Sequence, residues 1–329
     1  MLKRILAERD PVVTCGGGML RFEGFSACCS TYCRVDLDPD AYDGVTVGQG
    51  TTNVDFNAPV RAALAQIRDH ECVGIAVGTD EVALLRGSDQ IIERKVQLPI
   101  RWLKGFTEVQ AYQAKMERRV VFGRVEAIRF FRSLPRTAMA KTAYWIVPSS
   151  GGVRVSQCAT REGIRIAGVE RLRILEELVP YAEQVIIAAD NGEASEWTLC
   201  FGPLRFTLAI TAEVWRGFSG EGQTLVDLAG GACAQTTDLV RGLLKWQAEL
   251  RAEEFAANFD LSAEAVRQSI SVLGSRGLVG FDRSSAAYFH RELPFDLALV
   301  EEFHPRIKSA RRIIESGGIR ILRRVGGGL

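Results

Sequence analysis

The most reactive side chains in this 329-residue chain are its eight cysteines, Cys15, Cys28, Cys29, Cys33, Cys72, Cys158, Cys200 and Cys233. Three of them crowd together as Cys28-Cys29-x3-Cys33. A structural zinc site asks for four Cys or His ligands, usually as two close pairs. Cys28 or Cys29 with Cys33 would supply one pair. A second is missing: Cys15 stands beside three glycines, His70 and Cys72 are separated by one residue, and His290 and His304 are isolated. The spacing favours ordinary thiols over a metal site. Cys72 and Cys200 border or lie in apolar strands and read as small core residues. Three histidines offer little to activate a Ser or Cys, and none sits in a recognisable nucleophile signature. Gly48-x-Gly50 lacks the third glycine of a dinucleotide loop, and no Gly-Lys-Ser/Thr phosphate loop is present. Asp36, Asp38 and Asp40 resemble half a calcium loop, but Pro39 and the missing closing Glu make it a solvated turn. No catalytic set assembles, so the expectation is a protein that is not an enzyme and holds no metal or cofactor.

Cations are the other chemistry on offer. Between positions 101 and 141 stand Arg101, Lys104, Lys115, Arg118, Arg119, Arg124, Arg129, Arg132, Arg136 and Lys141, against Glu108, Glu117 and Glu126; ten minus three gives +7. On a helix near 124–134, Val125, Ile128 and Phe131 are expected to face inward and Arg129, Arg132 and Arg136 outward. Cations on a rigid element suit phosphate contacts. The plainer reading is a solvated helix face. The whole chain carries only +1, so no global field recruits nucleic acid or a membrane.

The elements that must position these residues show an internal repeat. Residues 60–110 and 169–223 share one plan. A striped helix (Val60-Arg-Ala-Ala-Leu-Ala-Gln-Ile67; Val169-Glu-Arg-Leu-Arg-Ile-Leu175) precedes an apolar strand (Val73-Gly-Ile-Ala-Val77; Val185-Ile-Ile-Ala-Ala189). A hairpin and further strands follow, and each copy ends on Trp, a basic residue, Gly and Phe: Trp102-Leu-Lys-Gly-Phe106 and Trp215-Arg-Gly-Phe218. Trp102, Gly105, Phe106, Trp215, Gly217 and Phe218 are expected as matched structural anchors, the glycines turning the chain tightly and the aromatics packing. Two half-buried units can cover each other's apolar faces. Asn191-Gly192 and Gly202-Pro203 mark turns. Residues 107–134 read as two helices split near Gly123, with Pro135 ending the second.

From Thr237 the pattern changes to three helices and a two-stranded ribbon. Ser262 caps the third helix, whose Val266, Ile270 and Leu273 share a face. This is the winged-helix plan. Arg267, Gln268 and Ser271 on the third helix and Arg283 on the wing would point outward, and such residues reach bases and phosphates. Residues 237–292 hold seven basic and eight acidic side chains, however, a net of −1. A DNA-reading module is normally basic, which turns the balance toward a protein-binding or structural role.

The expected fold is α/β (α+β), with duplicated β-α-β-β-β units in pseudo-twofold arrangement, similar to one domain of a DNA sliding clamp, followed by the winged helix. The expected divisions are a Gly/Cys-rich segment (1–53), a first unit with basic helices (54–136), a linker and second unit (137–235), the winged-helix-like module (236–295) and a basic C-terminal helix and tail (296–329). No run of 18 apolar residues indicates a membrane span, and the mixed-charge start is unlike a signal peptide, so the expected location is cytoplasmic.

Several segments carry a resemblance: Leu20-Arg-Phe-Glu-Gly-Phe-Ser26, Gly50-Thr-Thr-Asn-Val-Asp-Phe-Asn57, Pro99-Ile-Arg-Trp-Leu-Lys-Gly-Phe106, Phe130-Phe-Arg-Ser-Leu-Pro-Arg136, Trp215-Arg-Gly-Phe-Ser-Gly-Glu-Gly-Gln223 and Tyr288-Phe-His-Arg-Glu-Leu-Pro-Phe295. Together they resemble bacterial SWIM zinc finger family proteins. In that family a Cys-x-Cys…Cys-x-His finger follows this region. Neither half of it occurs here, so the resemblance assigns zinc to no residue of this chain. It implies a context of MoxR-type AAA ATPases and von Willebrand A proteins. The function expected first is a non-catalytic interaction or adaptor protein of a bacterial assembly, with protein partners; the alternative is a nucleic-acid-binding protein using the basic helical patch and the winged helix.

Overall fold

The structure, a computed structural model, describes residues 11–136, 142–149, 152–190, 193–212, 214, 217–218, 232–293, 309, 312–313 and 315–317. It divides into two units, Met1–Leu293 and Pro294–Leu329, and the strands of the described residues all belong to the first. The expectations for Lys141, the Asn191-Gly192 turn, Trp215 and nearly all of the C-terminal helix lie outside the described residues.

Eight antiparallel strands form the main sheet. Its first half is a meander of β1 (Val12–Gly16), β2 (Met19–Phe25) and β3 (Thr31–Leu37), with β4 (Gly50–Asn53) returning to pair with β1. After β4 comes a helix, α1 (Ala58–Ala65), started by the Asn57 side chain accepting from the Val60 amide. A separate three-stranded sheet follows: β5 (Val73–Val77), β6 (Glu81–Arg86) and β7 (Asp89–Arg94). Helix α2 (Ile100–Lys115), strand β8 (Glu117–Gly123) and helix α3 (Arg124–Ser133) come next. A second small sheet holds β9 (Tyr144–Ser149), β10 (Gly152–Ser156) and β11 (Ile164–Ile166). The other half of the main sheet is the meander of β12 (Gln184–Asp190), β13 (Ala194–Phe201) and β14 (Leu204–Thr211).

The main-sheet order β4-β1-β2-β3-β14-β13-β12-β8 reads as a palindrome about the β3–β14 seam. Each meander carries one extra strand at its outer edge. The order is symmetric about this seam, although β4 follows its meander in the chain and β8 precedes its own, and this symmetry is not the repeat expected over 60–110 and 169–223. The meanders β5–β7 and β12–β14, expected as matched units, occupy different sheets; β12–β14 pairs instead with β1–β3, the segment read only as Gly- and Cys-rich. The helix expected over Val169–Leu175 is a 3-10 helix, entered from Gly168 in the left-handed region at φ 67°. The two helices expected over 107–134 enclose strand β8, whose Val120, Val121 and Phe122 pair with β12 at the sheet edge.

The principal core lies between one face of the main sheet and a layer of α3, the 3-10 helix and the β9–β11 sheet. Phe130 stacks on Trp197 at 5.7 Å and Phe131 meets the same indole edge-on at 5.7 Å. Helix α3 buries Ala127, Phe130 and Phe131, whereas Val125, expected to face inward, is 62% exposed. The helix is thus rotated by roughly one position from the expected face, because the Phe130-Phe131 pair carries the larger apolar area.

The C-terminal part of the first unit holds α4 (Ala234–Leu244), β15 (Glu249–Leu250), α5 (Ala252–Asn258), α6 (Ala263–Ser275), β16 (Val279–Asp282) and β17 (Ala287–His290). The three helices and the ribbon follow the expected order. Ser262 accepts from the Ala265 amide at 3.1 Å, and Val266, Ile270 and Leu273 are all buried. A short strand the sequence reading lacks, β15, pairs with β17 and makes the ribbon three-stranded.

Helix α2 is sandwiched. Trp102 through Phe106, expected to close a set of strands, form its first turns. Gly105 makes no turn there: a Cβ at this position would sit 2.8 Å from the Phe25 ring, so the glycine admits close packing against β2. On the opposite side, Gly274 of α6 brings that helix against Gln110. Gly217 does have the expected conformational role, with φ at 50° and its chain crossing the Cys29 peptide; Phe218 N–H donates to the Cys29 carbonyl at 2.8 Å. A Cβ on Gly217 would meet Cys29 O at 2.4 Å. Gly217→Ala is expected to lower stability by about 1–3 kcal/mol, read as a shifted urea midpoint at constant slope.

Candidate functional site

Strands β2 and β3 carry oppositely charged residues in alternation, and the antiparallel register sets them in pairs: Arg21 opposite Asp36 and Glu23 opposite Arg34. Such alternation usually marks a solvated sheet face. Here the face is buried beneath the C-terminal ribbon, and the charges form a closed network. Arg34 bonds Asp36 at 2.8 Å and reaches Asp282 at 3.3 Å. Arg21 lies 3.3 Å from Asp36 and 3.7 Å from Asp282. Arg205 from β14 joins Asp38 at 2.8 Å to Asp282 at 3.4 Å. Beside these, Arg291 bonds Glu23 at 2.6 Å and donates to the carbonyls of Phe106 and Val279; Glu23 also accepts from the Tyr32 hydroxyl at 2.6 Å. Guanidiniums cover two rings, Arg21 over Phe289 at 4.3 Å and Arg291 over Phe106 at 4.6 Å.

Burial by itself would raise the Asp282 carboxyl. The nearby Arg34, the Ser284 hydroxyl, Arg21 and Arg205 overcome it and hold the group at about 2. Asp36 moves the other way: burial and the neighbouring Asp282 outweigh its own arginine partners. The network joins two parts of one unit, with Arg21, Glu23, Arg34, Asp36, Asp282 and Arg291 all buried.

The same arrangement relocates Arg283. Expected on an outward wing, it turns toward the main sheet, bonds the buried Glu196 at 3.1 Å and donates to the Met116 carbonyl. Gln113 of α2 holds the second Glu196 oxygen at 2.7 Å. Two buried acceptors outcompete solvent for this guanidinium.

No protein-family model matches the chain, and no curated protein matches its sequence. Three solved structures share a partial likeness with the chain. One is the Proliferating Cellular Nuclear Antigen of Entamoeba histolytica, at 7% identity and a TM-score of 0.42, covering 64% of this chain and 91% of that one. Another is the A. fulgidus PCNA bound to the C-terminal region of FEN-1, at 10% identity and 0.44, covering 63% and 90%. A third is the PCNA2-PCNA3 complex from Sulfolobus tokodaii, at 10% and 0.45, covering 64% and 93%. At these identities and TM-scores the likeness assigns neither a fold family nor any chemistry to this chain.

The remaining cations fall into separate groups. Arg101, Lys104 and Lys115 lie on the sandwiched α2, Arg118 and Arg119 on β8, and Arg124 on α3 donates to the Ala182 carbonyl at 3.0 Å. Arg129, Arg132 and Arg136 are exposed as expected and carry no side-chain hydrogen bond or ion pair among the described residues. The expected basic stretch is therefore interrupted by a strand, and its free cations concentrate on and just after α3. On α6, Arg267 is exposed but pairs with Glu253 at 3.0 Å and Glu264 at 3.5 Å. Gln268 donates to Glu264 at 2.9 Å, and the Ser271 hydroxyl turns back to the Arg267 carbonyl at 3.0 Å.

Trp102 and Phe106 of one motif copy and Phe218 of the other meet around Phe25, whose Gly24-Phe25 pair echoes the Gly-Phe ending of both copies. Phe25 lies 5.9 Å from Trp102, 4.9 Å from Phe106 and 6.2 Å from Phe218, in edge-on contacts. The three clustered cysteines diverge around the same loop. Cys28 is exposed, with its thiol 3.0 Å from the Ser30 hydroxyl; Cys29 is buried and directs its thiol to the Arg101 carbonyl; Cys33 directs its own to the Gly24 carbonyl, and burial raises that thiol to about 11. Among the described residues no group of three or more His, Cys, Asp or Glu is placed to hold a metal ion. Cys200 is buried as expected, while Cys72, expected in the core, is exposed at the mouth of β5.

Proposed function

We propose that this protein is a non-catalytic interaction protein, an adaptor that joins other macromolecules in an assembly. The observation that carries the reading is an apolar face left open on the β5–β6–β7 sheet. The register lines up Ala76, Ala83 and Ile92 in one row and Gly74, Leu85 and Gln90 in the next. Ile92 is 46% and Leu85 39% exposed, and Ala76 is exposed beside them. The opposite face turns Val82 into a small core with Val13 and Val54. Ala83, between Ala76 and Ile92, is buried, so Ala76, Leu85 and Ile92 make a small apolar patch, and exposed apolar side chains grouped on one sheet face are the kind of feature that marks a protein-binding site.

The test is capture from the native host with mass spectrometry, using the full chain and Leu85→Glu/Ile92→Glu. A specific partner retained by the first and lost by the second, at unchanged melting temperature, is the expected result. Identical partner sets from both would remove this face from the function. The resemblance to SWIM zinc finger family proteins makes MoxR-type ATPases and von Willebrand A proteins the first partners to test.

A second reading, nucleic-acid binding, is favoured by Arg129, Arg132 and Arg136 on and after α3, which are exposed and without a charged partner among the described residues. We read α4–α6 with the ribbon as a winged-helix module whose wing serves the sheet, since Arg283 is bonded to Glu196. The nucleic-acid reading then rests on α3. Arg129→Glu/Arg132→Glu is expected to weaken oligonucleotide binding in a low-salt gel shift by about tenfold or more, and an unshifted titration in both proteins would end the reading.

A further inference from the structure

The β9–β10–β11 sheet has two unlike faces. Its inner face sends Tyr144, Ile146, Val153, Val155, Ile164 and Ile166 into the principal core. Its outer face is fixed by the register. Trp145 stands directly opposite Ser156 on β10 and Arg165 on β11, and Arg154 stands opposite Val147. Trp145 is half-buried, while Arg154 and Arg165 are exposed. The segment after β10 folds back so that Gly163 lies against Val147, and it carries the exposed Arg161.

None of Arg154, Arg161 and Arg165 has a side-chain hydrogen bond or ion pair among the described residues. Ten other arginines, among them Arg21, Arg34, Arg205, Arg283 and Arg291, pair with carboxylates, while others such as Arg94, Arg241 and Arg276 carry no ion pair among the described residues. Residues 124–165 hold eight basic side chains against Glu126 and Glu162, and eight minus two gives +6. Helix α3 packs beside β10, with Gly152 close to the Glu126 carboxylate, so the free cations of the helix border this sheet.

We propose that the outer face of β9–β10–β11 binds single-stranded nucleic acid, with Trp145 stacking on a base and Arg154, Arg161 and Arg165 holding the phosphates on either side. This deepens the nucleic-acid reading and rests on it. Arg154 and Arg165 lie two strands and one residue pair apart, about 12 Å across the indole by ladder geometry, a spacing that places a cation on each side of a base lying on the ring. A single strand fits because its bases are free to stack, whereas a duplex keeps their faces covered. The indole disfavours an acidic peptide, whose carboxylates meet a negative ring face rather than a matching π-surface.

The experiment is fluorescence anisotropy of a labelled oligothymidine and of a duplex of equal length with the full chain, across a salt series. The expected result is preference for the single strand, with log K falling against log salt at a slope of about −2 for three phosphates. Trp145→Ala is expected to weaken binding about tenfold or more, and Trp145→Phe to retain most of it. Arg154→Glu/Arg165→Glu, at exposed positions that leave the core intact, abolishes binding without changing the circular dichroism melt. Equal affinity for the duplex, or binding unchanged in both the Trp145→Ala and the Arg154→Glu/Arg165→Glu proteins, overturns the site. If those proteins bind normally while Arg129→Glu/Arg132→Glu does not, the broader reading survives without this face. If the unaltered chain binds no oligonucleotide at low salt, both fall.

Discussion

Arg291→Ala is expected to lower the free energy of unfolding by about 3–5 kcal/mol. Its guanidinium is 1% exposed, bonds Glu23 at 2.6 Å and donates to two carbonyls on different elements, Phe106 in α2 and Val279 in β16. Truncation removes these bonds together and leaves the Glu23 carboxylate inside the protein with the Tyr32 hydroxyl as its remaining donor. An uncompensated buried charge costs more than the pair contributes. Arg291→Met/Glu23→Gln removes both charges and keeps an acceptor for Tyr32, so it is expected to recover most of the loss. A urea-unfolding double-mutant cycle checks both statements. If the single and double variants lost the same stability, the pairing would not be the cause.

The legibility of this region in the sequence was uneven, for identifiable reasons. Val266, Ile270 and Leu273 announced α6 because one face of that helix is apolar and the rest is solvated. The Gly202-Pro203 turn was legible because its backbone demands a special residue: Gly202 has φ 63°. Helix α2 was legible from Thr107 onward, but its first turns were obscured because Trp102 through Phe106 matched the end of a set of strands; Glu108, Gln110 and Gln113 are inside along with Trp102 and Phe106. Strand β8 was hidden by Arg118 and Arg119, which read as a continuation of a basic helix. The pairing of β3 with β14 spans more than 160 residues, a distance over which pattern within one segment is silent.

The charge network was missed for a related reason. Arg21, Glu23, Arg34 and Asp36 alternate with apolar residues, and alternation by itself assigns the polar face to water. One signal was available. The same order of charges along both strands, basic then acidic, makes each residue face its complement across an antiparallel hairpin, and Asp282 with Arg291 near the end of the unit supplies further charges of both signs. Arg283 went astray by the same route, since nothing local to the ribbon distinguishes an arginine aimed at a phosphate from one aimed at Glu196, 87 residues away in sequence.

Asp282→Ala is expected to cost a comparable 3–5 kcal/mol at neutral pH, because Arg21, Arg34 and Arg205 all approach this carboxylate and its loss leaves the buried Arg21 and Arg34 sharing Asp36 as their one buried acidic partner. Asp282→Asn is expected to cost less, since an amide oxygen can still accept from the Ser284 N–H and hydroxyl. The pH dependence separates charge from packing. The folded carboxyl titrates at about 2, and an unfolded Asp at about 3.9. A depressed folded value means that its stabilisation is complete above about pH 4 and disappears as the pH falls toward 2. The acid limb of the stability curve should therefore be shallower in Asp282→Asn across that interval. Asp36 supplies an internal control, because its carboxyl is raised in part by the charge of Asp282. In Asp282→Asn that repulsion is gone, so Asp36 should titrate at lower pH, observable by carboxyl-detected NMR. A steep acid limb that persists unchanged in Asp282→Asn would show that another carboxylate governs acid unfolding, and would leave Asp282 as an ordinary packed residue of the ribbon.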